Sequence, residues 1–249
     1  MDDKDFFYAM KVRGYTIFEK ALKPKTVHRI HETLCAIPED QIYNGVIRNL
    51  FDKFPAECLI DVMENEVVLP RIDALLGDTF IYYSFNSSPL YPGAKSSAGD
   101  FHRDTGRYIP GYDYAFNILY AISDFTKSTG VTQVLPGSHL FEEKPSDTYL
   151  AENAVDIELP AGSALIFNSN LWHAAGWNYG HDTRWGMGLT CKRSFMRQQF
   201  DLPRALNPEL VNQLSERCRQ LLGFYVRVPT CMEEYLLPEE ERLYRAGQG

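Results

Sequence analysis

The chain has 249 residues, 45% of them hydrophobic and 13% aromatic, which is enough apolar material for a sizeable core. Its formal net charge of −8 argues against a duplex nucleic acid or an anionic membrane surface as partner, and no stretch approaches the roughly 20 apolar residues needed to cross a bilayer. The five cysteines, Cys35, Cys58, Cys191, Cys218 and Cys231, are scattered without a C-x-x-C pair, so they read as reduced thiols of a cytoplasmic protein rather than as zinc ligands.

The acidic start, Met1-Asp2-Asp3-Lys4-Asp5, does not look like a signal or transit peptide. Residues 5 to 37 read as helical, with Phe6, Phe7 and Met10 on one face. Thr26 is expected to cap a second helix through Val27, Ile30 and Leu34, and Pro38 ends it. Between the two helices the string from Arg13 to Leu22 alternates like a short strand. His28 and His31 fall three apart on the second helix and read as a solvated face. Residues 40 to 57 look irregular, with Asn44-Gly45 and Phe54-Pro55 as turn markers. A helix is expected from Ala56 to Leu76, broken or kinked by Pro70 and ended at Gly77-Asp78.

The character then changes. Thr79 to Phe85 is rich in β-branched and aromatic residues and reads as a strand. A Ser- and Pro-rich loop follows from Ser87 to Ala98. Further strands are expected over Tyr112 to Ile122, Val131 to Leu135, Ala154 to Leu159, Ser163 to Phe167, Leu171 to Ala175 and Trp185 to Lys192. Short strands punctuated by Gly and Pro turns argue for an all-β sandwich or barrel, and a jelly roll fits the strand count. From Asn207 the pattern returns to helix through Leu210, Leu214, Cys218, Leu221 and Leu222, and a charged tail runs from Pro238 to Gly249. The expected organisation is a single domain over 1-249, with a mainly helical part at 1-78, an all-β core with flanking helices at 79-195 and a helical part at 196-249. A monomer or homodimer is expected.

Within the β region, His102 and Asp104 lie two apart, so an extended backbone turns both side chains to one side. An imidazole nitrogen and a carboxylate oxygen can then meet on one metal ion. A second histidine would complete a two-histidine, one-carboxylate face with open positions opposite, the donor set of non-haem Fe(II) oxygen chemistry. The alternative is a histidine salt-bridged to an aspartate in a loop. The further histidine is His139, in the turn Pro136-Gly137-Ser138-His139, or His173, at the end of a buried strand; His173 is favoured. Arg184 lies eleven residues after His173. Alternation places Arg184, Gly186, Gly188 and Thr190 on one face of the last strand, and two glycines there suit a ligand close to the backbone. Arg184 could grip a carboxylate through two hydrogen bonds, or sit at the rim paired with Asp182.

Taken in order, His102-x-Asp104, the segment Gly130 to His139, His173 and Arg184 resemble the phytanoyl-CoA dioxygenase family, closely over residues 79 to 195. The resemblance implies a double-stranded β-helix, a cupin-like jelly roll. It implies His102, Asp104 and His173 as ligands of Fe(II), and Arg184 as the grip on the distal carboxylate of 2-oxoglutarate, with O2 as the oxidant. Two positions depart from relatives: Ala175 stands where some carry a serine that binds this carboxylate, and Leu119 where some carry a tryptophan. Asn117 points the same way as Leu119 and could donate instead, with Thr190 beside it.

The implied function is an Fe(II)- and 2-oxoglutarate-dependent oxygenase that hydroxylates, desaturates or cyclises a small-molecule metabolite, with no nucleic acid and no membrane as partner. Arg103, Thr105, Tyr82, Trp172 and Arg193 are the candidates to meet substrate. The rivals are a non-catalytic jelly-roll binding protein and a metal-dependent cupin-type enzyme that does not use 2-oxoglutarate; the latter would use more histidines and would not need Arg184. An acyl-CoA would call for clustered Lys and Arg near the metal, and none is evident.

Overall fold

The computed structural model describes residues 2–96 and 98–245; the last four residues of the charged tail lie outside them. In chain order its main elements are α1 (Asp3–Val12), β1 (Tyr15–Phe18), α2 (Pro24–Cys35), β2 (Ile42–Tyr43), β3 (Val46–Ile47), α3 (Ala56–Met63) and α4 (Leu69–Leu76). Then come β4 (Ile81–Ser87), β5 (Ala115–Ala121), β6 (Thr132–Val134), α5 (Asp147–Asn153), β7 (Val155–Ile157), β8 (Ala164–Asn168), β9 (His173–Ala175) and β10 (Gly186–Lys192). Four short helices follow: α6 (Leu202–Ala205), α7 (Pro208–Gln213), α8 (Glu216–Leu221) and α9 (Met232–Tyr235).

The strands form two antiparallel sheets, one of seven in the order β1-β8-β5-β10-β4-β3-β2 and one of three in the order β7-β6-β9. The expected jelly roll is what forms. The larger sheet buries one face against the helices: Phe6, Ile30, Leu59, Ile72, Tyr120, Ile166, Met187, Leu189 and Leu221 share one core. A smaller core between the sheets joins Phe125, Val134, Leu159, Leu165, Phe167 and Leu171. Fully apolar runs such as Ala164 to Phe167, buried on both faces, are what strands sandwiched between layers require.

Several expectations about the helices change. Thr26 does not cap α2. Pro24 occupies the first turn, where its missing N–H is not needed, and the Thr26 hydroxyl instead donates to Asp61 Oδ2 at 2.6 Å. Pro70 does not break a long helix either, because it also sits in a first turn, that of α4. The break between α3 and α4 centres on Asn65, whose Oδ1 accepts from the Val67 and Val68 amides while its Nδ2 reaches the Ala21 carbonyl. The C-terminal helix is likewise two, because the Ser215 hydroxyl caps α8 through the Cys218 amide. Residues 42 to 47 are a hairpin, not irregular chain: Asn44 and Gly45 both take positive φ, 53° and 74°, as a tight turn between twisted strands requires.

One glycine ties α1 to the sheets. Gly14 ends α1 with φ +82°, its carbonyl accepts from the Asn168 amide, and an added Cβ would lie 2.5 Å from His139 Nδ1 and 2.9 Å from Leu171 Cδ1. Gly14→Ala is expected to lower the unfolding free energy by more than about 1 kcal/mol, from left-handed strain and the clash together. Equilibrium urea unfolding measures it, and an unchanged midpoint would contradict this account.

Candidate metal and co-substrate site

The two sheets meet at a cavity of about 280 Å³. At one end of it, His102 and His173 form an antiparallel bridge: each backbone N–H donates to the other's carbonyl, at 3.0 and 3.1 Å. Residues directly opposite one another in such a pair project to the same face, so the two imidazoles lie with ring centroids 4.4 Å apart. The Asp104 amide is tied to the Ser169 carbonyl, which turns its carboxylate back between the rings. His102 Nε2 is 3.5 Å from Asp104 Oδ1, and His173 Nε2 is 3.5 Å from Asp104 Oδ2. Among the described residues this is the cluster with the spacing of a metal site, its ligand atoms within 4.8 Å of one another.

The protonation pattern suits a metal. His102 Nδ1 lies 2.8 Å from the Asp100 carbonyl and His173 Nδ1 lies 2.9 Å from the Leu171 carbonyl. A carbonyl only accepts, so both Nδ1 atoms carry a proton, and in the neutral rings both Nε2 lone pairs face Asp104, where a metal would take the place of a proton. Burial pushes His173 down, despite the Asp104 carboxylate, and keeps its ring neutral. Burial alone would lower His102 too, but hydrogen bonding to Asp104 and to the Asp100 carbonyl outweighs it and the pKa rises. Burial would raise Asp104, yet His173, His102 and Lys192 hold it below the usual carboxylate range.

A short relay fixes the carboxylate. Asn117 Nδ2 donates to Asp104 Oδ2 at 2.8 Å and to Ser169 Oγ at 2.9 Å, and Asn117 Oδ1 accepts from Thr190 Oγ1 at 2.7 Å. Both amide protons of Asn117 are thus committed to groups of the chain. Asn117→Ala removes the support without removing a candidate ligand, so the affinity of the cluster for a metal such as Fe(II) is expected to fall about 10–100-fold, the usual effect of losing an outer hydrogen-bond partner. Iron titration against a competing chelator reads this; an unchanged affinity would show that the backbone alone orients Asp104.

Arg184 lies in the same cavity. It is 5% exposed, lies over the Phe125 ring at 4.0 Å and donates from Nη1 to the Gly130 carbonyl. Its Nε has no partner, and among the described residues it forms no ion pair, so pairing with Asp182 does not occur. Burial lowers its pKa to about 10, which leaves it charged at neutral pH. A buried guanidinium without a carboxylate is costly unless an anion joins it, and a dicarboxylate co-substrate would supply one. Gly186, Gly188, Thr190, Leu119 and Ala175 line the space on the way to the triad, as alternation along β10 requires. Thr132 was not anticipated: it pairs in register with Ala175 and also lines the cavity, so a hydroxyl stands across from the alanine.

The five residues expected to meet substrate are not among those lining the cavity. The Tyr82 hydroxyl donates to the Met63 carbonyl inside the helical core. Arg193 donates to the Asp113 and Leu76 carbonyls and stacks on Tyr112. Thr105 donates to Asn170, while Arg103 stacks on Trp172 and Tyr108. Tyr83 lines the cavity instead of Tyr82, because the β4–β10 register slips between Thr190 and Cys191 and leaves Tyr83 unpaired at a bulge. Ser84, Asn86, Ser88 and Ser96 complete this wall, so the loop after β4 does reach the site. His139 is buried against Gly14, away from the triad, and lines a separate cavity beside α1.

Comparison with known proteins agrees with this geometry. Residues 10–186 match the family model described as phytanoyl-CoA dioxygenase. Over 97% of the chain it is 37% identical to an uncharacterized protein of Mycobacterium tuberculosis, 94% of which is covered. A dioxygenase of Talaromyces verruculosus, cdmD, is 28% identical over 66% of this chain and 56% of its own length. Among solved structures, EctD from S. alaskensis with 2-oxoglutarate and 5-hydroxyectoine superposes with a TM-score of 0.65 at 18% identity, covering 85% of this chain and 83% of that one. The epimerase SnoN in complex with Fe3+, alpha ketoglutarate and nogalamycin RO gives 0.63 at 14% identity, covering 76% and 82%. At these identities the two structures speak for the shared fold.

Proposed function

This chain belongs to the phytanoyl-CoA dioxygenase family, and on that premise we propose that it is an Fe(II)- and 2-oxoglutarate-dependent oxygenase, using O2 to hydroxylate, desaturate or cyclise a small-molecule metabolite in a single domain. The observation that carries the reading is the opening of the His102–Asp104–His173 cluster and the unpaired Arg184 into one cavity. A cupin-type metal enzyme without 2-oxoglutarate would have no use for that buried cation.

Iron and 2-oxoglutarate, when bound, supply the oxidising power that amino-acid side chains lack. The chain supplies position. The Nε2 atoms of His102 and His173 and the Asp104 carboxylate would hold the metal. Asn117 keeps the carboxylate turned toward the imidazoles. Arg184 would take the distal carboxylate of 2-oxoglutarate, and the Thr132 hydroxyl lines the same cavity. Phe167, packed edge-on to His173 at 4.7 Å, and Leu119 keep the inner wall apolar, which limits water at the metal.

Anaerobic titration with Fe(II) and then 2-oxoglutarate is expected to raise a weak visible charge-transfer band, and admission of O2 to release succinate, slowly without the prime substrate. Iron binding with no band and no succinate would overturn the 2-oxoglutarate assignment. In halogenases that resemble this family, a small residue replaces the aspartate and chloride takes its place. Asp104 is present and ionised, so the native protein is expected to form no chlorinated product at ordinary chloride concentration. Product analysis by mass spectrometry with the identified substrate checks this.

A further inference from the structure

The strand that carries Arg184's neighbours into the cavity carries a second cation. Alternation along β10 places Lys192 next in the row after Gly186, Gly188 and Thr190. Thr190 marks the level of the metal cluster, through Asn117 to Asp104, so Lys192 lies beyond the cluster on the side away from Arg184.

Lys192 is 8% exposed, yet among the described residues its ammonium has no ion pair and no hydrogen-bond acceptor. Its close neighbour is the face of Tyr83, whose ring centroid lies 3.3 Å from Nζ, and Tyr83 lines the cavity. The ammonium is not fully enclosed. A ring face offsets only part of the hydration that a cation gives up on burial, and it leaves the three N–H donors of a lysine unmet. Asp104 acts on Lys192 at longer range, raising it against the stronger lowering by burial.

The charges of a loaded site point the same way. Fe(II), Arg184 and Lys192 would bring four positive charges, and Asp104 and 2-oxoglutarate three negative ones. Lys192 is not itself among the residues lining the cavity and meets it through the Tyr83 ring; with Arg184 assigned to the co-substrate, one further negative charge beside Lys192 would balance the loaded site.

We propose that Lys192, seated on the Tyr83 ring, is the anion-binding residue of the prime-substrate site, so that the substrate is a small molecule carrying a carboxylate or phosphate group. The assignment rests on the oxygenase reading above. A single lysine suits one small anionic group rather than the several phosphates of a coenzyme A ester.

Binding of matched probe pairs to the anaerobic Fe(II)–2-oxoglutarate complex tests it: octanoate against octanamide, phenylpropionate against its amide, and phenyl phosphate against phenol, read by ligand-observed NMR. The anionic member of at least one pair is expected to bind at least about tenfold more tightly than its neutral partner, and the identity of that pair separates carboxylate from phosphate. Lys192→Met should abolish the preference, while Lys192→Arg and Tyr83→Phe keep it. Equal binding of neutral partners, no binding by any anion, or a preference that survives in Lys192→Met would overturn the proposal. The charge-transfer band of the Fe(II)–2-oxoglutarate complex is recorded on the same samples: a normal band with no anion preference removes only the Lys192 assignment, whereas loss of the band in the unsubstituted protein removes the oxygenase reading.

Discussion

His173→Ala and His102→Ala are each expected to abolish iron binding and with it all 2-oxoglutarate turnover, while His139→Ala leaves both in place. The two triad imidazoles present Nε2 toward Asp104, with their tautomers set by the Leu171 and Asp100 carbonyls. Removing either leaves a two-ligand site, so the loss of metal affinity should exceed the about 10–100-fold that follows from removing an outer partner. His139 has its Nδ1 buried without a partner and is packed against Gly14, so its loss should cost stability rather than metal. Iron stoichiometry of the anaerobically loaded variants decides the matter: iron binding lost in His139→Ala and kept in His173→Ala would overturn the assignment. Acid should weaken iron binding, because the ligands must be neutral imidazoles. His102, whose pKa is raised, should protonate before His173, whose pKa is lowered.

Arg184→Ala is expected to raise the apparent dissociation constant of 2-oxoglutarate by well over about tenfold with iron still bound, since truncating one partner of a buried charge pair costs about 2–5 kcal/mol. Arg184→Lys should restore little, because an ammonium cannot reproduce the planar fork that meets a carboxylate through two parallel bonds. Titration of the visible band with 2-oxoglutarate gives both constants. An unchanged dependence in Arg184→Ala would leave this residue the structural role of bonding the Gly130 carbonyl and covering Phe125.

The cluster that could hold a metal was the most readable part of the candidate site. His102-x-Asp104 is a local pattern that marks the pair as candidate ligands, although the pair lies outside the named strands and the Ser169 carbonyl orients Asp104; the Arg184, Gly186, Gly188, Thr190 row follows from a period of two. Strand content from Thr79 to Lys192 was legible for the same reason: β-branched and aromatic runs between Gly and Pro turns carry their meaning within a few residues. The helix boundaries were less so. Thr26 looks like a cap and Pro70 like a breaker, but each sequence signal has two structural uses, and the tertiary contacts of Thr26 with Asp61 and of Asn65 with Ala21 select between them.

Composition, charge and local periodicity by themselves determined the class of fold, the order of its strands along the chain, and which side chains could serve as ligands. Tertiary structure alone decided how those side chains meet. The pairing of His102 with His173 joins residues 71 positions apart through two backbone hydrogen bonds, and no local pattern encodes that register. The bulge that turns Tyr83 rather than Tyr82 into the cavity arises from a slip against β10, which a strand read in isolation cannot show. Likewise, Asn117 serves Asp104, and Lys192 stands over Tyr83 without a carboxylate, only because strands distant in sequence are adjacent in the sheet. Side-chain identity is a local property, whereas the partner of a side chain depends on which strand hydrogen-bonds to which.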